Sequence, residues 1–372
     1  MSKLHYTDEM IMEKYRWHAS RCGYSNEEIH GMRQLAEQNQ GNSELTNEDY
    51  LRWLYLENPA GKAIIMLAKD NNKVIGQVVF LPIKIRFRGK EITGSCAMNV
   101  LTDVTHRNKG IFAVLARKAF VEMQKSNIKV AYGLPNNYAY PTWIKRTKFK
   151  DIGIIPDLIK ILNPEKYVGQ KIQNVFMSKI IGLLCRLIFI SKRRKLIKQL
   201  YLREANRFDA AFDRLWENNS AFQVNGVVRR KEYLNWRYFS CPSREYKVFY
   251  CANTKDEVQA YIVLRTVADN NQLVGWIIDI YSSISDMGRV ASEILVSHAI
   301  EYFKSHNVDL IRSVVSNKSP GYKALRRNGF WRTPRIFKPW PIKIIMSHLA
   351  DERIEKDNLD HWYFTLGDND AL

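Results

Sequence analysis

Arg107, Asn108, Lys109 and Gly110 stand in a row between an apolar strand pattern that ends at Val100-Leu101 and a pattern of helical spacing. Behind them Ile111, Val114, Leu115, Ala119 and Phe120 recur as one face of a helix, so a helix is expected to start at the turn. A helix start presents unpaired backbone N–H groups and the positive end of the dipole to an anion. Gly110 lets a phosphate reach the backbone with no Cβ in its way. The chemistry open to these residues is therefore the holding of a phosphate. A basic turn with one glycine is also common in ordinary loops, so the surrounding elements must decide its meaning.

After the helix comes a second strand pattern, Lys129 to Leu134, closed by Pro135-Asn136. Strand, Arg107-x-x-Gly110-x-Phe112, helix and strand together resemble the acyl-CoA-binding core of the GNAT acyltransferases. The family's loop reads Arg or Gln-x-x-Gly-x-Gly or Ala, and here Phe112 takes the last place. The resemblance implies an acyl-CoA cofactor, acetyl-CoA by default, and an amine acceptor from among small molecules or amino-sugar and saccharide precursors. It implies that Val100, Leu101 and Thr102 pair their backbone with the extended pantetheine arm. Arg107, Asn108, Lys109, Gly110, Ile111 and Phe112 would hold the pyrophosphate. Asn136, with Asn137 after it, would lie where the second strand splays from its neighbour to admit the cofactor.

In that family an amine, deprotonated by a carboxylate or a water chain, attacks the thioester carbonyl, and an acid protonates the departing thiolate. The family's usual base position falls near Cys96 and its tyrosine position on Ile144, neither suited to the task. Asp103, just past the strand, and Tyr140 are the candidate base and acid, with turn capping as the alternative for Asp103. Tyr138 and Trp143, in GLPNNYAYPTW, are candidates for substrate contact, with packing as the alternative.

The elements that must position these residues are legible in outline. Helices are expected over Asp8 to Ser20, Asn26 to Gln38 and Thr46 to Leu56, the last capped by Thr46 with Asp49. From Ala63 the period changes to two β-rich runs about Asp70-Asn71-Asn72, and a third begins after Arg88-Gly89-Lys90. An internal repeat follows. Trp53, Tyr55 and Pro59 recur as Trp236, Tyr238 and Pro242, and Asn136 and Phe149 recur as Asn317 and Phe330. Between these anchors each half offers hairpin strands, a strand, a helix and a strand.

The expected fold is mixed α/β: two tandem GNAT-like domains, each a mostly antiparallel mixed sheet flanked by helices. The expected bounds are 1–165 for the domain with the acyl-CoA site, 166–203 for a basic, apolar helical linker, 204–345 for the second domain, and 346–372 for a docked tail. The second copy places Ser292 opposite Gly110 and lacks the basic glycine turn. Asp368 and Asp370, beside Trp362, Tyr363 and Phe364, are candidate carboxylates for a cationic amine; a solvated acidic end is the alternative.

The whole chain of 372 residues carries a net charge of +19, with 46% hydrophobic and 26% charged residues, values that argue against disorder and fibrous repeats. Fifteen Lys or Arg against three acids lie between Lys145 and Arg203, so most of the excess is one segment. Its apolar run Ile180 to Ile190 is interrupted by Arg186 and too short to span a bilayer. It reads as a packing helix or as a peripheral contact with anionic membrane. The segment shows no nucleic-acid-binding module, which disfavours nucleic acid. A FemABX-like transferase using aminoacyl-tRNA and a non-catalytic CoA-binding protein are the alternatives. Five cysteines without metal spacing and a charged N-terminus without an apolar core point to a cytoplasmic address and no metal. Nothing in the sequence speaks to oligomeric state.

Overall fold

The computed structural model describes residues 14–20, 25–164, 166, 199–220, 225–269, 272–334, 340–349 and 358–369. The segment 167–198, and with it the apolar run of the expected linker helix, lies outside the described residues, as does Asp370. The chain divides into two compact units. Unit 1 comprises Met1–Gly153, Ser240–Arg244 and Lys343–Asn358, and unit 2 comprises Ile154–Phe239, Glu245–Ile342 and Leu359–Leu372. Among the described residues no helix is long and apolar enough to cross a membrane.

Unit 1 contains β1 (Arg16–Ser20), α1 (Asn26–Gln40), α2 (Glu48–Leu56), β2 (Ile64–Asp70), β3 (Lys73–Phe87), β4 (Lys90–Thr102), α3 (Ile111–Lys125), β5 (Val130–Gly133), α4 (Tyr140–Arg146) and most of β6 (Lys150–Ile155). Arg16–Ser20 is a strand, not the end of a helix, because it pairs antiparallel along β2 from Arg16–Lys69 to Ser20–Ile65. The cap of α2 is Asn47, whose side chain accepts from Asp49 N and Tyr50 N, in place of the expected Thr46; Thr46 lies in a 3-10 turn just before it. Both hairpins form where expected. Asn71 and Asn72 turn β2 into β3 at φ of 46° and 69°, and Arg88-Gly89 turns β3 into β4 at 49° and 79°, the left-handed pairs that tight hairpins favour.

Unit 2 contains β7 (Asp157–Ile161), β8 (Leu200–Ala205), α5 (Ala210–Ser220), β9 (Asn225–Val227), α6 (Lys231–Tyr238), β10 (Lys247–Asn253), β11 (Val258–Asp269), β12 (Gln272–Ser282), α7 (Asp286–Ser305), β13 (Leu310–Val314), α8 (Pro320–Arg327) and β14 (Trp331–Arg332). Then come β15 (Ile342–His348), which lies in unit 1 from Lys343 onward, and β16 (Trp362–Tyr363), which pairs in parallel with β9.

Unit 1 orders its strands β1-β2-β3-β4-β5-β15-β6, and unit 2 orders them β14-β7-β13-β12-β11-β10-β8. Each sheet thus receives one strand from the far half of the sequence. β15 stands between β5 and β6, and β7 stands between β13 and β14, so the exchange is reciprocal. The pairs β4–β5 and β12–β13 are parallel, while the hairpin strands around them are antiparallel. One helix packs on each sheet behind the parallel pair. Ile111, Val114, Leu115, Ala119 and Phe120 of α3 join Phe80, Trp143 and Phe149 in the core of unit 1, and α7 supplies Ile294, Leu295, Ala299 and Phe303 to the core of unit 2.

Ile345 of β15 is fully buried in the core of unit 1 and pairs with Gly133. Ile345→Ala should therefore destabilise unit 1 by about 2–5 kcal/mol, the cost of an unfilled core site. Urea unfolding read by the tryptophans checks this, and a loss below about 0.5 kcal/mol, the range of surface changes, would contradict the exchanged strand.

Candidate active site

The parallel strands β4 and β5 are bonded from Gly94–Val130 to Ala97–Gly133 and then part. β4 runs on to Thr102, carrying a bulge in which Asn99 and Val100 stand where β3 offers only Val78. Asn99 takes a φ of 50°, its Nδ2 donates to Tyr55 Oη at 2.7 Å, and its carbonyl accepts from Gln77 Nε2 at 3.1 Å. Past the last bonded pair lies a cavity of about 830 Å³. Val100, Leu101 and Thr102 line one side, Arg107, Asn108, Gly110, Ile111 and Phe112 another, and Asn136 and Tyr138 a third.

The turn is built by local bonds. Asp103 ends β4 and caps a 3-10 turn over Val104–His106, accepting from Thr105 N at 2.9 Å and Thr105 Oγ1 at 2.6 Å. Lys73 Nζ donates to its other oxygen at 2.7 Å, and His106 Nδ1 stands 3.3 Å from the first. Burial alone would raise the Asp103 pKa, but the bonds from Lys73, Thr105 and His106 outweigh it and hold the carboxyl well below the usual carboxylate range. Asn108 and Gly110 then take φ of 64° and 82°, a left-handed bend that turns successive N–H groups inward. Gly110 is the N-cap of α3, and no side chain caps that helix start. The first N–H groups of α3 have no intrahelical partner and open on the cavity that Ile111, Phe112 and Ala113 line. Arg107 is fixed at the rim, its guanidinium donating to Asn39 Oδ1 at 2.6 Å and to Thr102 O at 3.4 Å.

Ten of the residues singled out in the sequence come together around this cavity, and the others stand apart from its lining. Lys109 and Asn137 flank it without lining it. Trp143 is buried, its ring edge-on to Phe112 at 4.8 Å and Phe149 at 4.5 Å, and so packs the core beneath the turn. Tyr140 donates its hydroxyl to Asp151 Oδ2 at 2.6 Å, and Lys343 Nζ lies 3.8 Å above its ring. Asp103 faces its cap. Asp368 belongs to unit 2, where it is buried and both its oxygens accept from Arg229 at 2.8 Å. Cys96 is fully buried and Ile144 packs on the core.

Sequence reasoning missed Asn39, Gln40, His106, Thr142 and Arg146, which with Ala113 and Ala139 complete the lining. His106 carried a signal, since it lies inside the turn sequence itself. Asn39 carried none, because a partner 68 positions from Arg107 shows only when α1 is folded against the turn.

The acetyltransferase (GNAT) domain family matches residues 23–142, which hold every lining residue of this cavity except Arg146. That stretch is a GNAT domain by this match, and the sheet of unit 2 repeats its pattern of one parallel pair between antiparallel hairpin strands. A GCN5-related N-acetyltransferase from Anabaena variabilis superposes with a TM-score of 0.61 at 12% identity, covering 90% of this chain and 73% of the other. A probable N-acyltransferase from Enterococcus faecalis gives 0.57 at 11%, covering 90% and 73%. The Saccharomyces cerevisiae N-myristoyltransferase with bound myristoyl-CoA gives 0.58 at 10%, covering 89% and 79%. A search of curated proteins finds no match.

Asp103→Ala should lower stability at pH 7 by about 1–2 kcal/mol through the lost cap. A carboxyl whose folded pKa is depressed contributes stability that is complete above the unfolded value and is lost as pH falls through the folded one. The difference between wild type and variant should thus be constant above about pH 4 and shrink below it. Denaturant midpoints from pH 2 to 7 check this, and a variant that tracks the wild type throughout would show that the cap contributes nothing.

Proposed function

We propose that unit 1 binds an acyl-CoA in the cavity and that the chain transfers the acyl group to an amine. The uncapped start of α3 at Gly110, open to that cavity, carries this reading. The N–H groups of Ile111, Phe112 and Ala113 and the side chain of Arg107 would meet the pyrophosphate, where backbone donors and the helix dipole favour negative charge. The edge Val100–Thr102 would pair with the amide-bearing pantetheine arm as with an added strand. The amine nitrogen would then bond to the thioester carbonyl carbon, and the tetrahedral adduct would expel the CoA thiolate, which would take up the proton that the nitrogen loses as the amide forms.

In this reading Asp103 also shapes the turn and Tyr140 also bonds Asp151, and the two remain the candidate base and acid, since the family's own positions for those groups fall near Cys96 and on Ile144 here. Phe112, where the family has Gly or Ala, packs on Trp143 and leaves its backbone N–H at the helix start. Acetyl-CoA is the default donor. The likeness to a myristoyl-CoA-bound enzyme, close in TM-score to that of the acetyltransferase, makes long acyl chains the second donor class to assay. Small amines, amino sugars and saccharide precursors are the acceptors to screen by thiol release.

Calorimetric titration with CoA, acetyl-CoA and a long-chain acyl-CoA tests the reading. Saturable binding at concentrations to about a millimolar is expected, and Gly110→Asp should abolish it by setting a side chain and a negative charge at the helix start. No binding of any of the three by the folded wild type would overturn it. Equal binding by the folded variant would place the phosphates elsewhere.

A further inference from the structure

Unit 2 repeats the splayed strand pair of unit 1 register for register. One offset of 180 residues carries Ala97–Gly133, the last bonded pair of β4 and β5, onto Ile277–Ser313, the last bonded pair of β12 and β13. In each unit the first strand runs on, to Thr102 and to Ser282, while its partner ends. The side-chain pair behind the splay also recurs. Asn99 bonds Tyr55 at 2.7 Å, and Asp279, at the same offset, accepts from Tyr238 at 3.1 Å.

What differs is the content of the gap. In unit 1 it is the cavity. In unit 2 the corresponding place holds Tyr363 to Asp368, bonded to both parted strands. On the side of β13, Thr365 forms an antiparallel bridge with Val315, Ser316 N donates to Phe364 O at 2.9 Å, and Phe364 N donates to Ser316 Oγ at 2.7 Å. On the side of β12, the Tyr363 hydroxyl donates to Ile280 O and Thr365 Oγ1 donates to Asp279 Oδ1 at 3.0 Å. The segment ends in a turn whose carboxylate, Asp368, meets Arg229. Arg229 is 1% exposed and also meets Asp279 at 3.3 Å and the face of the Tyr363 ring at 4.6 Å. Arg237 and Tyr233 donate to Gly367 O at 3.3 and 3.2 Å.

Such a place has two demands. Parted strand edges need main-chain donors and acceptors, and a buried guanidinium needs carboxylates around it, since removing one partner of a buried pair strands the other. We infer that unit 2 is a peptide-binding site, which recognises an extended backbone bearing an aromatic residue and, a few residues on, a carboxylate, and whose resident ligand is the chain's own segment Tyr363–Asp368. Gly367 belongs to the recognition. A Cβ there would stand 2.0 Å from Tyr238 Oη, so only glycine lets the turn close on Asp279 and Arg229. The inference does not depend on which cofactor unit 1 binds.

Hydrogen exchange on the full-length chain tests it, read at Ser316, Phe364 and Thr365. In the wild type these amides should be protected together. Gly367→Val should expel the segment and speed their exchange by about tenfold or more. A synthetic peptide of residues 359–369, added to that variant, should restore protection at Ser316, and the same peptide with Asp368→Ala should not. Unprotected tail amides in the wild type would overturn the inference, as would a peptide that binds no better than its Asp368→Ala form. If Gly367→Val does not fold, Asp368→Asn decides, because it keeps the volume and removes the charge. Faster exchange confined to the segment and Ser316 supports the site, and unchanged exchange overturns it.

Discussion

Two parallel strands that part after a few bonded residues leave main-chain donors and acceptors along both inner edges, and those groups must find partners. Much of this protein follows from that geometry occurring twice. In unit 1 the edge Val100–Thr102 borders a cavity whose far wall is a helix start, so the partners that fit are those of an extended, amide-bearing molecule ending in phosphates. In unit 2 the edges are met by the chain itself, through Phe364, Thr365 and the hydroxyl of Tyr363. One scaffold thus yields an open cleft and a filled one.

The difference between the two helix starts follows the same division. α3 begins at Gly110 with no side-chain cap, so its N–H groups remain on offer. α7 begins at Ser285, whose hydroxyl accepts from Gly288 N at 3.0 Å and satisfies that start locally. An uncapped helix start gives up roughly 1 kcal/mol of local stability, a cost that recurs where a ligand completes the structure.

The sequence made the turn legible because its signals are local: Gly110, the basic residues beside it, and apolar residues at helical spacing behind. The tandem layout was legible because Trp53, Tyr55 and Pro59 recur at one offset, with the Trp and Tyr of each set inside equivalent helices and the Pro just beyond them. What stayed hidden was non-local. Exchange of β7 and β15 depends on pairings across the length of the chain, and either strand read alone is only an apolar run. Trp143 and Asp368 looked available from residue type, yet Trp143 fills the core under Phe112 and Asp368 is consumed by Arg229, a residue 139 positions away. Residue type announces what a side chain can do, and burial decides whether it is free to do it.

The central claim is that the helix start at Gly110 receives the phosphates of a CoA. Backbone amide shifts of the labelled protein during CoA addition test this most directly. The account predicts that the largest changes fall on Gly110, Ile111, Phe112 and Ala113, with Val100 to Thr102 next, and that the start of α7 at Asp286 stays still. Changes centred on α7, with the amides from Gly110 to Ala113 unmoved, would contradict it.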